Sequence, residues 1–261
     1  MKLSISNIAW KQEQDIEVYQ LMKEYGFTGL EIAPTRIFLE RPYEQLEKAK
    51  RWAEDLKSRY GFDVPSMQSI WFGRSEKLFG TVEEREALVS YTKMAVDFAE
   101  SVGCRNLVFG CPKNRIKSEE ASEDIAVEFF KTVGDYASTK NIKIGIEANP
   151  EIYGTNYLNA TEQAIRLIKM VGLSGVGLNL DFGTIIHNGE NLDIVAENIS
   201  LISHVHISEP NLAEIQHRPQ HKELARLLKN GGYNGFVSVE MKSGHSIERI
   251  SEIMSYISSV F

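Results

Sequence analysis

The sequence lacks the features that identify several large classes of protein. It contains no Gly-rich phosphate loop of the GxGxxG or Walker type, which argues against the usual dinucleotide-binding and P-loop classes. No window approaches the roughly 20 apolar residues of a transmembrane helix. The N-terminal segment MKLSISNIAW has neither a long apolar core nor a small-residue cleavage site. We therefore expect a soluble, cytoplasmic protein that does not associate with a membrane.

Cysteine and excess positive charge are also scarce. The two cysteines, Cys104 and Cys111, lie close together near one predicted strand, so no disulfide framework is indicated and both are expected in the core. The 36 acidic and 29 basic residues give a formal net charge of −7. This balance argues against broad nucleic-acid binding through phosphate neutralisation. Solenoid-length repeats, low-complexity tracts and linkers are absent.

Length and patterning favour one α/β domain. The chain has 261 residues, of which 43% are hydrophobic, and single-domain α/β barrels typically contain about 250 residues. We predict one domain over residues 1–261. Apolar runs predict strands near residues 2–10, 29–34, 63–70, 106–110, 143–148, 176–181, 203–208 and 235–241.

Amphipathic segments separate the predicted strands. The clearest begins at a capping box formed by Thr81 and Glu84 and ends at Gly103, and a later one ends at a C-cap, Gly172. Strands that alternate with helices predict a parallel sheet covered by helices. Eight of each favour closure into a (β/α)8 TIM barrel, with an open doubly wound sheet as the main alternative.

Four of the predicted strands end in a residue that can bind a metal ion. These are Glu147 in KIGIEANP, Asp181 in VGLNLDFG, His206 in SHVHISEP and Glu240 in GFVSVEMK. They are spaced by 34, 25 and 34 residues, each about the length of one strand, one helix and their loops. Residues so far apart meet if the strands are parallel neighbours that end on one face of a barrel.

Three carboxylates and one imidazole form a hard, oxygen-rich ligand set. Such a set suits one divalent cation, Mn²⁺, Co²⁺, Mg²⁺ or Zn²⁺. Taken singly, each residue has an ordinary explanation, because a strand-end carboxylate often caps the next helix and a lone strand histidine is usually hydrogen-bonded in the core. Four such residues together favour a metal site, because buried carboxylates are costly unless paired or metal-bound.

The sequence resembles the xylose isomerase-like barrel superfamily, specifically its sugar-phosphate isomerase/epimerase branch. The resemblance covers nearly the whole chain and is strongest in GIEANP followed by TNYLNATEQA, then NLDFG, HVHISEPN and GGYNGFVSVEMK. It implies that Glu147, Asp181, His206 and Glu240 hold one catalytic metal ion. It also implies that Glu147 and Glu240 exchange protons with the substrate carbon from opposite faces.

The function implied by this resemblance is a metal-dependent isomerase or epimerase of a sugar or sugar derivative, phosphorylated or not. A divalent ion that chelates a ketose carbonyl and an adjacent hydroxyl acidifies the neighbouring C–H and stabilises an enediolate. Two positions differ from the family pattern. Thr184 stands where family epimerases usually have a substrate-binding His, and Gly154 stands where they usually have a substrate-contacting Glu. Inosose-type dehydration and other enolate-forming lyase chemistry therefore remain alternatives.

Further side chains near the strand ends are candidates for substrate contact. They are Trp10, Gln68, Lys113, Arg115, Asn149, Glu209 and His217. Lys113 and Arg115 lie in the loop GCPKNR, where two cations facing the mouth would suit a phosphate or carboxylate. Trp10, with Trp71 and Phe72, would form an apolar wall for a sugar ring. Solvent exposure explains Lys113 and Arg115 equally well, and helix capping or exposure explains most of the polar residues after the seventh strand. Core packing is the safer explanation of any single aromatic residue.

Two further functions compete with the enzyme hypothesis. A non-catalytic sugar-binding barrel is consistent with Thr184 and Gly154. A nuclease like endonuclease IV would need three zinc ions and additional histidines, but Gln68 and Thr184 occupy two of those positions and no His follows the fourth strand. We expect a small sugar-like partner and no nucleic acid, while homo-oligomer formation through outer helices stays open.

Overall fold

A computed structural model describes all residues 1–261 of the chain. The strands are β1 (Lys2–Ser6), β2 (Phe27–Glu31), β3 (Ser66–Met67), β4 (Asn106–Phe109), β5 (Lys143–Glu147), β6 (Val176–Asp181), β7 (Ile202–Ile207) and β8 (Phe236–Val239). The α-helices are α1 (Asp15–Glu24), α2 (Pro34–Ile37), α3 (Leu46–Tyr60), α4 (Val82–Ser101), α5 (Asp124–Ser138), α6 (Thr161–Val171), α7 (Phe182–Asn188), α8 (Asp193–Glu197), α9 (Pro219–Asn230) and α10 (Ile247–Val260). Short 3-10 helices cover Asn7–Ala9, Gln12–Gln14, Pro42–Glu44, Pro112–Asn114, Glu151–Tyr153, Ile199–Leu201 and Pro210–Leu212.

All eight strands pair in parallel in one sheet. Their order is β2-β1-β8-β7-β6-β5-β4-β3. The two edge strands meet through single bridges that join Gly29 to Asp63 and Ile32 to Met67, so the sheet curls into a nearly closed barrel. The fold is the predicted single-domain (β/α)8 barrel, which excludes the open sheet.

Six of the predicted strands match the observed ones to within three residues at each end, while the first and third are shorter than predicted. After Ser6, residues Asn7–Ala9 turn into a 3-10 helix instead of extending the strand. The third strand is limited to Ser66–Met67. Pro65 immediately precedes it and has no N–H to donate to a ladder, and Ser69 beyond it adopts a φ of 55°, which ends the extended backbone.

The helix boundaries follow the predicted capping residues. The Thr81 hydroxyl accepts from the Glu84 N–H at 3.3 Å, and the Glu84 carboxylate accepts from the Thr81 N–H at 2.8 Å, which confirms the capping box at the start of α4. Gly172 follows α6 with a φ of 67°, a left-handed conformation that glycine adopts without strain. No helix in the structure combines the length and the apolar character needed to cross a membrane.

The barrel interior is polar, and this arrangement creates the site. Along β6, Val176, Leu178 and Leu180 alternate with Gly177, Asn179 and Asp181, and successive side chains of a strand point to opposite faces. The apolar set packs under the helices while the polar set points inward. The other strands repeat the pattern with inward Ser4, Ser6, Glu31, Ser66, Gln68, Asn106, Glu147, His204, His206, Ser238 and Glu240, all buried.

Candidate metal centre and substrate cavity

Four potential metal ligands converge at the C-terminal ends of four adjacent strands. Glu147, Asp181, His206 and Glu240 are all buried, and one ligand atom from each lies within 4.8 Å of the others. Nδ1 of His206 is 2.9 Å from Oε1 of Glu147 and 3.2 Å from Oε2 of Glu240. The strand register places Asp181 directly beside His206. The sequence-predicted set is therefore brought together as one cluster.

The cluster concentrates negative charge in a site removed from solvent. Burial and the charge of Glu147 raise the pKa of Asp181 to about 6, and burial raises the pKa of Glu240 to about 7 against the opposing attraction of His206. Burial alone would lower the pKa of His206, but Glu240 and Glu31 outweigh it and raise that pKa well above its usual value. Without a cation, burial makes the charged forms of Asp181 and Glu240 costly, so both carboxylates bind a proton more readily than they would in water.

This donor set fits a divalent cation. Three carboxylates and one imidazole, all buried and within the span of a single coordination sphere, match the hard ligands that Mn²⁺, Mg²⁺, Co²⁺ and Zn²⁺ accept. A bound ion would displace the protons that the cluster otherwise retains, because metal ligands bind in their deprotonated form.

Surrounding side chains hold the carboxylates in place. Oδ2 of Asp181 accepts the backbone N–H of Thr184 at 2.8 Å and lies 2.8 Å from the Thr184 hydroxyl, while Oδ1 accepts from Ser208. Oε1 of Glu147 accepts from Asn179 at 2.8 Å. Thr184 thus supports a candidate ligand from the position where the family pattern has a substrate-binding His.

Gly110 and Gly154 are two positions near the site that favour glycine, the first because of space and the second because of its backbone conformation. A Cβ at Gly110 would lie 2.8 Å from Oε2 of Glu147, so only glycine leaves that carboxylate its position. Gly154 follows the 3-10 helix Glu151–Tyr153 with a φ of 76°. A glutamate at this position would occupy a strained left-handed backbone.

A second buried cluster lies directly behind the first, and two of its members, Glu31 and His204, were not among the predicted site residues. Nε2 of His206 is 3.0 Å from Oε1 of Glu31, and Nε2 of His204 is 2.7 Å from Oε2 of the same carboxylate. Gln68 donates to Oε1 of Glu31 at 3.2 Å. The signal for His204 was present in the sequence, because HVH places His204 and His206 on the same face of a strand.

A cavity of about 410 Å³ opens above the four candidate ligands, which is within the usual range for a small-molecule site. Its lining includes Glu147, Asp181 and Glu240 from the cluster. The apolar part of the lining includes Trp71, Phe72, Val108, Tyr153 and Leu212. Phe72 is 68% exposed at the rim. Burial raises the pKa of the Cys111 thiol to about 12, so this cavity residue is not a thiolate nucleophile.

The structure brings some of the predicted substrate contacts to this cavity and not others. Gln68, Lys113 and Asn149 line it, and the Nδ2 of Asn149 also donates to Oε2 of Glu147 at 3.0 Å. Trp71 and Phe72 supply the predicted apolar wall, but without Trp10. The indole of Trp10 is buried in the core, where it donates to Asp15 at 2.7 Å.

Glu209 and His217 are engaged away from the cavity. The carboxylate of Glu209 is buried and accepts two hydrogen bonds from the guanidinium of Arg218, at 2.7 and 2.6 Å. His217 is exposed and stacks on Tyr256 with ring centroids 3.7 Å apart. Neither side chain belongs to the lining of the cavity. Their contacts are structural.

Arg115 is buried beneath the cavity instead of facing it. Its guanidinium donates to the carbonyl oxygen of Glu147 at 2.8 Å, to Oδ1 of Asn149 at 2.9 Å and to the carbonyl oxygen of Leu158 at 3.3 Å. Burial lowers the pKa of Arg115 to about 10, which leaves it charged at neutral pH. Arg115 therefore ties the segment after β5, which carries a candidate ligand, to the following loop.

Replacing Arg115 by methionine should destabilise the protein by roughly 3 kcal/mol, because it leaves buried carbonyl oxygens without a donor. Urea denaturation measures this loss as a shift of the unfolding midpoint. The neighbouring Lys113→Met changes an exposed side chain and should shift the free energy of unfolding by no more than about 0.5 kcal/mol. Equal stabilities of the two variants would contradict the role assigned to Arg115.

The contribution of Asp181 and Glu240 to the stability of the metal-free protein should fall as pH rises through the range in which they lose their protons. Asp181 and Glu240 have folded-state pKa values of about 6 and 7, above their usual values, so they favour folding at low pH and this contribution is lost above those values. A bound cation balances the charge of the ionised carboxylates and so restores this contribution to stability. Differential scanning calorimetry from about pH 5 to about pH 8 should show a gap in Tm between metal-loaded and chelated protein that widens with pH. A constant or narrowing gap would contradict the electrostatics of the cluster.

A larger cavity, of about 1190 Å³, lies at the opposite end of the barrel. It is lined by the N-terminal ends of the strands and by residues such as Arg105, Lys143, Tyr233 and Phe236, and none of the four candidate ligands reaches it. Active sites of barrels lie at the C-terminal face. Cavity volume therefore does not identify the functional site in this protein, and the smaller cavity, which is lined by candidate ligands, is the candidate site.

Comparison with known proteins supports the architecture. A family model described as xylose isomerase-like TIM barrel matches residues 19–259. The apo form of the 3-keto-D-glucoside 4-epimerase YcjR from E. coli superposes with a TM-score of 0.76 at 19% identity, over 97% of this chain and 98% of that one. No curated protein matches in sequence.

Two further solved structures share the fold over nearly their whole length. The IOLI protein with a bound zinc atom has a TM-score of 0.73 at 16% identity, over 100% of this chain and 99% of that one. The probable 3-DHS dehydratase AsbF from Bacillus anthracis has a TM-score of 0.68 at 16% identity, over 100% and 98%. At these identities the likeness establishes a common fold.

Proposed function

This chain belongs to the xylose isomerase-like TIM barrel family, and from that premise we propose that it is a metal-dependent isomerase or epimerase of a sugar or sugar derivative. The observation that carries the proposal is the convergence of Glu147, Asp181, His206 and Glu240 at the floor of a cavity of small-molecule size. The structural likeness to a sugar epimerase and to a zinc-binding barrel supports the same conclusion.

We assign the proton transfers to Glu147 and Glu240. Both carboxylates line the cavity, and they flank Nδ1 of His206 at 2.9 and 3.2 Å. A bound divalent ion would polarise a substrate carbonyl and so acidify the adjacent C–H.

The remaining cavity residues would bind and orient the substrate. The amide of Asn149 and the amide oxygen of Gln68 can bond to sugar hydroxyls, and Lys113 at the mouth can contact a phosphate or carboxylate substituent. Phe72 and Trp71 form an apolar wall that suits the C–H face of a sugar. Thr184 is hydrogen-bonded to Asp181 and does not line the cavity. We therefore assign the polar contacts with the substrate to Asn149, Gln68 and Lys113.

Solvent exchange tests the proposal. The metal-loaded protein is incubated in D₂O with a panel of free and phosphorylated ketoses, and the recovered sugars are analysed by mass spectrometry and NMR. We expect one deuterium in the substrate carbon and the appearance of an epimer or isomer. A product that has lost water would favour the alternative hypothesis that the protein is a dehydratase, which the likeness to AsbF suggests. Sugar binding without exchange would overturn the proposal in favour of a non-catalytic barrel.

A further inference from the structure

We infer that Glu31 is a positioning residue, which fixes the ring of His206 so that Nδ1 is the metal-binding nitrogen. The inference rests on the proposed metal site and concerns residues behind it. Glu31 is the last residue of β2, is fully buried, and lies on the opposite side of the His206 ring from Glu147 and Glu240. Its hydrogen bonds go to His206 and not to the cavity, so it acts on the metal site through the histidine.

The direction of the hydrogen bonds determines the ring tautomer. Nε2 of His206 lies 3.0 and 3.1 Å from the two oxygens of Glu31. A carboxylate only accepts hydrogen bonds, so Nε2 must carry the hydrogen. Nδ1 also has carboxylate oxygens nearby, at 2.9 and 3.2 Å, but the Nδ2 of Asn179, which can only donate, lies 3.2 Å from it. Nδ1 is therefore the nitrogen that accepts, and in the neutral ring it carries the lone pair. The ring is thus held in the tautomer that a metal ligand requires.

Two further donors keep Glu31 in place. His204 donates through Nε2 to Oε2 of Glu31 at 2.7 Å, and Gln68 donates through Nε2 to Oε1 at 3.2 Å. A buried carboxylate without partners would be strongly unfavourable. Together with His206, these donors satisfy Glu31 from two places in the barrel, β7 and the residue that follows β3, so the carboxylate cannot turn away from His206 without losing them.

Glu31, His204 and His206 also have the residue types of a second metal site. The hydrogen-bond pattern favours the positioning role. Nε2 of Gln68 points a donor at the same carboxylate, and it also donates to the hydroxyl of Ser6 at 2.6 Å. A donor amide in that place stabilises an acceptor carboxylate and would repel a cation. One ion bound on the Nδ1 side of His206, with Glu31 accepting the hydrogen on Nε2, is consistent with the contacts in both clusters.

The test replaces Glu31 with glutamine and measures Co²⁺ affinity in the absence of any sugar. We expect a loss of about 10- to 100-fold, the usual effect of removing the partner of a metal-bound histidine, together with altered visible absorption of the bound Co²⁺. Glu190→Gln makes the same chemical change at a carboxylate that bonds to Thr161 and Asn188. This control should leave the affinity within about twofold of wild type, since it lies outside the network. An unchanged affinity in Glu31→Gln would overturn the inference.

The ring nitrogens of His206 in the wild-type protein give an independent readout that does not depend on the variant folding. In the zinc-loaded protein labelled with ¹⁵N-histidine, NMR should find the hydrogen on Nε2 and zinc on Nδ1. The reverse assignment, or two zinc ions per chain, would overturn the inference. These measurements use no substrate, so they separate the positioning role from the proposed reaction, which the solvent-exchange experiment tests.

Discussion

Replacing Glu240 by glutamine is expected to reduce turnover roughly 10³-fold, and Glu147→Gln should have a similar effect. The substitution keeps the shape of the side chain and an oxygen that can bind a metal ion, but the amide cannot accept or return a proton at neutral pH. The loss should therefore appear in kcat, with the substrate KM changing much less. Steady-state rates, with metal content measured on the same samples, separate a chemical defect from a loss of the ion.

Solvent exchange should distinguish the two glutamates. If they serve opposite faces of the substrate, each variant keeps deuterium exchange with one epimer and loses it with the other. Glu162→Gln, on the exposed surface of α6, makes the same chemical change far from the cavity and should leave turnover unchanged. A variant that retains its metal ion and full turnover would show that its glutamate is not a proton-transfer residue.

Removal of the divalent ion should abolish turnover and lower Tm together. The ion supplies the polarisation on which C–H acidity depends, and it also balances the buried carboxylates. Ligand present at 100 times its dissociation constant stabilises the folded state by about 2.7 kcal/mol. Dialysis against a chelator followed by addition of Mn²⁺ or Co²⁺ should therefore restore both turnover and Tm.

The Asp181→Asn variant is the control for the chelation experiment. It weakens the site itself, so a chelator should have little further effect on its Tm. Asp181 lies beside His206 in the strand register and accepts bonds from Thr184 and Ser208, which an asparagine largely preserves. Chelated wild-type protein that is free of metal by elemental analysis and still fully active would contradict a metal-dependent mechanism.

The fold and the four candidate ligands could be predicted from the sequence because both depend on local patterns. Apolar runs that end in a charged or imidazole side chain mark the C-terminal ends of strands, and Glu147, Asp181, His206 and Glu240 all have this pattern. The parallel alternation of strands and helices then requires them to meet on one face. The same reasoning placed Gln68 and Asn149 at the strand ends, and both line the cavity.

Side-chain direction in the loops could not be predicted in the same way. Arg115 follows β4 closely in sequence, but it turns under the loop to bond with backbone carbonyls of residues 147 and 158. Glu209 forms an ion pair with Arg218, nine residues away, across a segment without regular pattern. The role of Glu31 was missed for a different reason, since it requires knowing that β2 lies across the barrel from β7. Such contacts depend on loop conformation and barrel closure, which no periodicity encodes.

The central claim is that Glu147, Asp181, His206 and Glu240 hold one divalent ion. A crystal of the protein grown with zinc, recorded at the zinc absorption edge, tests it most directly. We expect one anomalous peak per chain, at about 2.0–2.2 Å from Nδ1 of His206 and from an oxygen of each carboxylate. Absence of a peak at this position, or a peak coordinated instead between Glu31 and His204, would contradict the claim.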